Sequence, residues 1–257
     1  MKVNYHTHTQ RCRHAQGSEE DYVQSAIHSG VSILGFSDHA PFPDRDFGLR
    51  MSYDELRPHV DCLDELTKKY QDSIILWKGL EIEYLPEYLF YYEDLLTKEG
   101  FEYLILGEHF YRNQEKALHN IAMANSTSDY LEYAEAVSQA IKTGYFKIVA
   151  HPDIYGMNLF AWDTNCDRAT DLIIDTAIKY KVILEYNANG LRREEKDYPD
   201  GFRYQYPHQI FWQNLSQTEA VVIVGSDCHN PSQVWDEAVE RAYDNLSELR
   251  ITPVLRF

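Results

Sequence analysis

Two pairs of metal-ligand side chains stand at i, i+2 spacing near opposite ends of the chain, His6-Thr7-His8 and Asp227-Cys228-His229. In an extended backbone, residues two apart point to the same side, so each pair can offer both its donors to one ion. Further donors follow at Asp38-His39, Glu81, His109 and His151. Period-two alternation puts Glu83 on the same side as Glu81, and Glu87 lies close by, so spacing alone does not choose among these carboxylates. His14 is open to two readings, a loop histidine or a ligand. His28, His59, His119 and His208 fall within or beside expected helices and read as ordinary solvated or hydrogen-bonded histidines.

These residues matter together because of the elements that carry them. Seven short apolar runs, at 3–6, 32–38, 74–81, 103–107, 146–151, 182–187 and 221–227, alternate with helical segments at about 19–29, 53–70, 87–98, 128–143, 167–179, 207–215 and 232–245. Strand followed by helix, repeated, predicts a parallel sheet covered by helices, and seven such units fit a TIM-like barrel better than an open sheet. Each run ends in a polar group: His6-Thr7-His8, Asp38-His39, Glu81, His109 just beyond the fourth, His151, Glu185-Tyr186-Asn187 and Asp227-Cys228-His229. In a parallel barrel the C-terminal strand ends form one face, so residues far apart in sequence converge there.

The 257 residues carry 24 Lys plus Arg against 41 Asp plus Glu, a formal charge of −17. That balance weighs against a protein that binds nucleic acid or anionic membranes through a basic patch. An anionic ligand would need a local source of positive charge. The length fits one domain over 1–257. The N-terminus has no apolar signal-like stretch, the run at 220–224 is too short to cross a bilayer, and Cys12, Cys62, Cys166 and Cys228 form no CxxC pair. The expectation is a cytoplasmic protein with reduced thiols.

The ordered motifs His6-Thr7-His8, Ser37-Asp38-His39, Gly79-Leu80-Glu81, Gly107-Glu108-His109, Ala150-His151-Pro152-Asp153 and Gly225-Ser226-Asp227-Cys228-His229 resemble the PHP (polymerase and histidinol phosphatase) superfamily. The Asp38-His39-Ala40-Pro41 run and Glu185-Tyr186-Asn187-Ala188-Asn189-Gly190-Leu191-Arg192 look like its histidinol-phosphate phosphatase branch. The resemblance implies an α/β fold, a distorted (β/α)7 TIM-like barrel with three divalent metal ions. It assigns His6, His8, Glu81 and Asp227 to the first ion, Glu81 (bridging), His109 and His151 to the second, and His14, His39 and His229 to the third. Seven imidazoles and two carboxylates suit zinc, or iron or manganese, better than magnesium.

By the same resemblance the chain is a metal-dependent phosphomonoesterase that hydrolyses L-histidinol phosphate to L-histidinol and phosphate in histidine biosynthesis. Ions about 3.5–4 Å apart would hold a bridging water and offer hydroxide for in-line attack on phosphorus. Another PHP phosphoesterase, acting on a nucleotide or other small phosphate monoester, is the alternative. Asp227 and His229 are the candidates to protonate the leaving alkoxide. Arg192 is the expected phosphate fork, with Arg193 its rival; Arg11, Arg13 and Ser18 flank His14 and are further substrate-binding candidates. Glu108, Glu115 and Asp153 are possible partners for a cationic substrate end. The expected partner is a small phosphate ester, with no nucleic acid and no membrane.

Overall fold

β-Branched, leucine and aromatic side chains make up the strands that organise the molecule, described here over residues 1–257 of a computed structural model. In chain order the strands are β1 Lys2–Asn4, β2 Val31–Phe36, β3 Ile75–Ile82, β4 Tyr103–Leu106, β5 Phe110–Arg112, β6 Leu118–Asn120, β7 Phe146–Val149, β8 Ile183–Asn187, β9 Lys196–Tyr198, β10 Gly201–Arg203 and β11 Val222–Gly225. Seven of them form a parallel sheet in the order β1-β2-β3-β4-β7-β8-β11. Every residue of β4, β8 and β11 is buried, as expected when both faces of a sheet are covered. The barrel closes at its C-terminal rim, where Thr7 bridges Cys228 in parallel fashion and the His8 N–H donates to Cys228 O at 3.0 Å.

The covering helices are α1 Glu19–His28, α2 Leu56–Tyr70, α3 Leu89–Thr97, α4 Ser128–Thr143, α5 Thr164–Tyr180, α6 Gln209–Leu215 and α7 Glu237–Glu248. Local chemistry sets their ends. A reciprocal capping box between Ser18 and Asp21 starts α1, and Gly144 at φ 79° ends α4 in the left-handed conformation. α7 starts at Glu237, later than the expected 232. Asp236 caps it, accepting from the Val239 N–H, while Pro231–Gln233 forms a separate turn capped by Asn230. Two antiparallel hairpins, β5–β6 and β9–β10, occupy stretches that carried no strand signal; at three residues per arm they are too short to show a period.

The barrel interior is apolar at one end and polar at the other. Val3, Tyr5, Ile33, Tyr103, Ile105, Ile148, Ala150, Ile183 and Ile223 fill the lower layers, with Trp77 and the C-terminal Val254, Leu255 and Phe257 packed beneath them. The tail is held there by the Val254 N–H, which donates to Val222 O at 2.8 Å. Tyr103 fills the axis: a Cβ on Gly79 would lie 2.3 Å from its Cζ, and its hydroxyl donates to Tyr5 O at 2.7 Å. Above this plug the inward side chains become His6, Glu81 and Glu185. The larger core, including Leu104, Val149, Leu184 and Val224, lies between the outer face of the sheet and the helices.

Candidate metal centre

Backbone pairing continues past several strand ends and arranges the donor residues in a ring. The Ala40 N–H donates to Glu81 O at 2.9 Å, so His39 lies beside Glu81. Ala150 N–H to Leu106 O and Ala188 N–H to Gly225 O, both 2.9 Å, continue the ladder around the rim. Two of the donor residues, His151 (φ 32°) and Asp227 (φ 47°), adopt positive φ. For residues with a Cβ this backbone is uncommon, and it turns their side chains into the barrel mouth.

The Nε2 atoms of His6 and His8 lie 3.0 Å apart, and each is 3.2 Å from Glu81 Oε2. Asp227 Oδ1 completes this group at 3.1 Å from His8 Nε2 and 3.6 Å from His6 Nε2. The other Glu81 oxygen, Oε1, is 3.0 Å from His151 Nε2 and 3.8 Å from His109 Nε2. His39 Nδ1 is 3.1 Å from Glu81 Oε2, and His14 Nε2 lies 2.9 Å from His229 Nε2. Thus all nine residues assigned by the resemblance converge, with the Glu81 carboxylate facing five imidazoles. Glu81 also fits its place sterically, since a Cβ on Gly107 would sit 2.2 Å from Glu81 Oε1.

Outer hydrogen bonds orient the rings. His6 Nδ1 donates to Glu185 Oε1 at 2.7 Å, His14 Nδ1 to Cys12 O at 2.6 Å, His109 Nδ1 to Glu83 Oε1 at 3.2 Å and His229 Nδ1 to Asp227 O at 3.1 Å. Each leaves the Nε2 lone pair aimed inward, the pattern of metal-binding histidines. Asn187 and Asn189 donate to Asp227 Oδ2 at 3.2 and 3.1 Å. Asp38 plays a different part: it accepts from the Thr9 N–H at 2.7 Å and from Cys12 Sγ at 3.0 Å, bracing the loop that carries His14.

The electrostatics fit a cation. Burial alone would lower His6 and His8, yet the Glu185, Asp227 and Glu81 carboxylates raise His6 well above the ordinary imidazole value, and Asp227 and Glu81 raise His8 to about 9. Those carboxylates call for positive charge at the centre. Burial and neighbouring imidazoles hold His229 at about 4, and burial lowers His14 and His39, so these rings are neutral donors. Converging nitrogen lone pairs and two buried carboxylates are a donor set for zinc-like ions.

The centre forms the floor of a cavity of about 550 Å3. Phe47, Phe110, Ile121, Ile154, Met157 and Tyr206 give it an apolar wall, and Arg50, Arg193, Asn120, Asn189 and Gln233 its polar groups. Arg192, the expected phosphate fork, lies away from the cavity. Its guanidinium is used up below the centre, donating to Ser226 O at 2.6 Å, Ser226 Oγ at 2.8 Å, Gln233 O at 3.0 Å and Asp236 Oδ2 at 2.7 Å, and it does not line the cavity. Arg193 does. Arg13 and Ser18 also lie outside it: Arg13 is half exposed, 3.9 Å from Asp46, and Ser18 is the cap of α1. Arg11 pairs with Glu19.

Nor do Glu108, Glu115 or Asp153 line the cavity. Glu108 and Asp153 are buried, the former accepting from the Tyr84 N–H and the latter from the His208 N–H and Trp212 Nε1, while Glu115 is exposed beyond β5. His28, His59, His119 and His208 lie outside it too. Arg50, Phe47 and the support given by Glu83 were not legible in sequence. The one available signal was the length of the 37–52 connection, long for a strand-to-helix loop.

The profile of the PHP domain matches residues 4–189. The chain belongs to the PHP family. Among curated relatives of this PHP chain, the "Probable histidinol-phosphatase" of Schizosaccharomyces pombe is 26% identical over 265 residues, 91% of this chain and 82% of that one. The histidinol-phosphatase of Bacillus subtilis is 23% identical, covering 91% and 96%. In fold, the PHP barrel is similar to the histidinol phosphate phosphatase of Lactococcus lactis, solved with zinc, L-histidinol and phosphate, at a TM-score of 0.73 and 14% identity over 98% and 95% of the two chains.

Proposed function

We propose that this PHP protein is a metal-dependent phosphomonoesterase that hydrolyses L-histidinol phosphate to L-histidinol and phosphate, serving histidine biosynthesis. The observation that carries the reading is the Glu81 carboxylate, which faces His6, His8 and His39 through one oxygen and His109 and His151 through the other at the floor of an open cavity. The relatives named histidinol-phosphatase support the choice of substrate. Three zinc ions are the proposed complement, held by His6, His8, Glu81 and Asp227, by Glu81, His109 and His151, and by His14, His39 and His229.

Divalent ions there supply Lewis acidity toward phosphoryl oxygens and acidify water for attack on phosphorus. The protein's own groups do the rest. Arg193, at the cavity wall with NH1 on the neutral Gln205 amide at 2.9 Å, keeps its remaining donors for the phosphate. Asp227 and His229 border the cavity and, both being unprotonated at rest, are the groups placed to relay to the departing alkoxide the proton given up by the attacking water. The apolar wall opposite takes the body of the substrate and excludes water from it. In this reading residues 1–257 act as one domain on a small molecule. Four unpaired cysteines fit a reducing cytoplasm, and no helix is long and apolar enough to cross a membrane.

Steady-state kinetics of the metal-replete protein on a panel of phosphomonoesters tests the assignment. A strong preference for histidinol phosphate is expected. Comparable kcat/KM on sugar phosphates, nucleotides or p-nitrophenyl phosphate removes the specific substrate and leaves a broader PHP phosphoesterase.

A further inference from the structure

Glu83 follows Glu81 on the same side of the chain and is as deeply buried, yet it takes no place in the ring of donors. One of its oxygens, Oε1, has two partners: His109 Nδ1 at 3.2 Å and the NH2 of Arg50. The Arg50 side chain is only 7% exposed. Its guanidinium lies 5.4 Å from the Phe47 ring and 5.9 Å from the Phe110 ring, and these two rings are 5.0 Å apart. Arg50 ends the segment Phe47-Gly48-Leu49-Arg50 that borders the cavity, and Leu49 there is 60% exposed with φ 45°.

We propose that Arg50 and Glu83 form a positioning pair: Arg50 holds Glu83, Glu83 orients the His109 ring so that its Nε2 faces Glu81, and the 47–50 segment is thereby tied to a metal ligand. A buried ion pair adds little net stability, because desolvation of both charges offsets their attraction. What it supplies is geometry. With Nδ1–H fixed on a carboxylate, the imidazole has one tautomer and one ring plane, and its lone pair is delivered to the centre. Direct phosphate binding by Arg50 is the competing role, and the geometry disfavours it. Its charge is already met by Glu83, whereas Arg193 pairs with no carboxylate, meeting a neutral amide and the Tyr206 ring.

The inference rests on reading the cluster as a metal centre. Its test uses the full chain, stripped of metal and equilibrated with graded zinc buffers, with zinc per chain measured by elemental analysis. Wild type is compared with Glu83→Gln, Arg50→Met and Arg50→Lys. The first two should weaken one class of bound zinc by about 10- to 100-fold and leave the remainder at wild-type affinity. Arg50→Lys should recover part of the loss, because it restores charge without the planar fork. On histidinol phosphate, kcat at fixed zinc should fall in Glu83→Gln and Arg50→Met while KM stays within threefold.

Zinc affinities within threefold of wild type in both variants overturn the proposal, as does a raised KM with unchanged zinc binding. Should Arg50→Met lose its far-ultraviolet circular dichroism, the near-isosteric Glu83→Gln decides alone. If wild type itself binds no zinc, the metal reading fails and the positioning role falls with it. Zinc bound equally by all four proteins removes the positioning role only.

Discussion

Glu185→Gln probes whether the site depends on the groups behind its ligands. Both Glu185 oxygens accept: Oε1 from His6 Nδ1 at 2.7 Å, Oε2 from Asn187 Nδ2 at 2.8 Å and from the His151 N–H at 3.3 Å. A glutamine keeps the volume but has one acceptor oxygen, so at least one of these buried donors must face an NH2 group. Replacing the charge-assisted bond to His6 by a neutral one costs about 1 kcal/mol, and the donor left without an acceptor costs about 1–2 kcal/mol more. The total of about 2–3 kcal/mol corresponds to zinc affinity weakened about 30- to 140-fold at the site using His6, since about 1.4 kcal/mol is a factor of ten. Gly225→Ala should act similarly by steric means, because a Cβ there would lie 1.7 Å from Glu185 Oε1. The assay is competition of the metal-stripped protein against a chromophoric zinc chelator at constant pH. Affinity within threefold of wild type for Glu185→Gln would refute the view that this carboxylate orients His6.

His8→Asn and Asp227→Asn should each lower turnover by at least about 100-fold while far-ultraviolet circular dichroism keeps its shape; near-normal turnover in either would contradict the ligand assignment. Arg193→Met should raise KM for phosphate monoesters about tenfold with little loss of stability, whereas Arg192→Met should lower stability by about 2–3 kcal/mol by urea unfolding, because it leaves buried acceptors unpaired. The reverse pattern would restore Arg192 as the phosphate ligand. Burial would raise the Glu19 carboxyl, but His59 and Arg11 outweigh it and hold its pKa at about 2 against the ordinary 4.5. With the folded value below the unfolded one, the stabilisation of about 3 kcal/mol is complete above pH 4.5 and disappears as pH falls toward 2. Urea unfolding of Glu19→Gln and wild type from pH 7 down to 3 should show the two curves approaching each other, and a constant difference would disprove the linkage.

Seven apolar runs, their alternation with helices and the donor residues at their ends were all readable along the chain, because strand periodicity and strand-end position are local properties. The barrel follows from them, and once it closes, ends that are far apart in sequence have to meet. The donors at the strand ends were legible for that reason, whereas His14, in a loop, and the choice of Glu81 over Glu83 came from the family resemblance alone. Only tertiary structure distinguishes Arg192 from Arg193, neighbours in sequence: the first is consumed by Ser226, Gln233 and Asp236, the second borders the cavity. It also gave Glu83 a role behind His109 and placed Arg50 against it. These outcomes depend on which donors and acceptors a side chain meets across the fold, in the Arg50 case over an |i−j| of 33 residues, and no spacing rule carries that information.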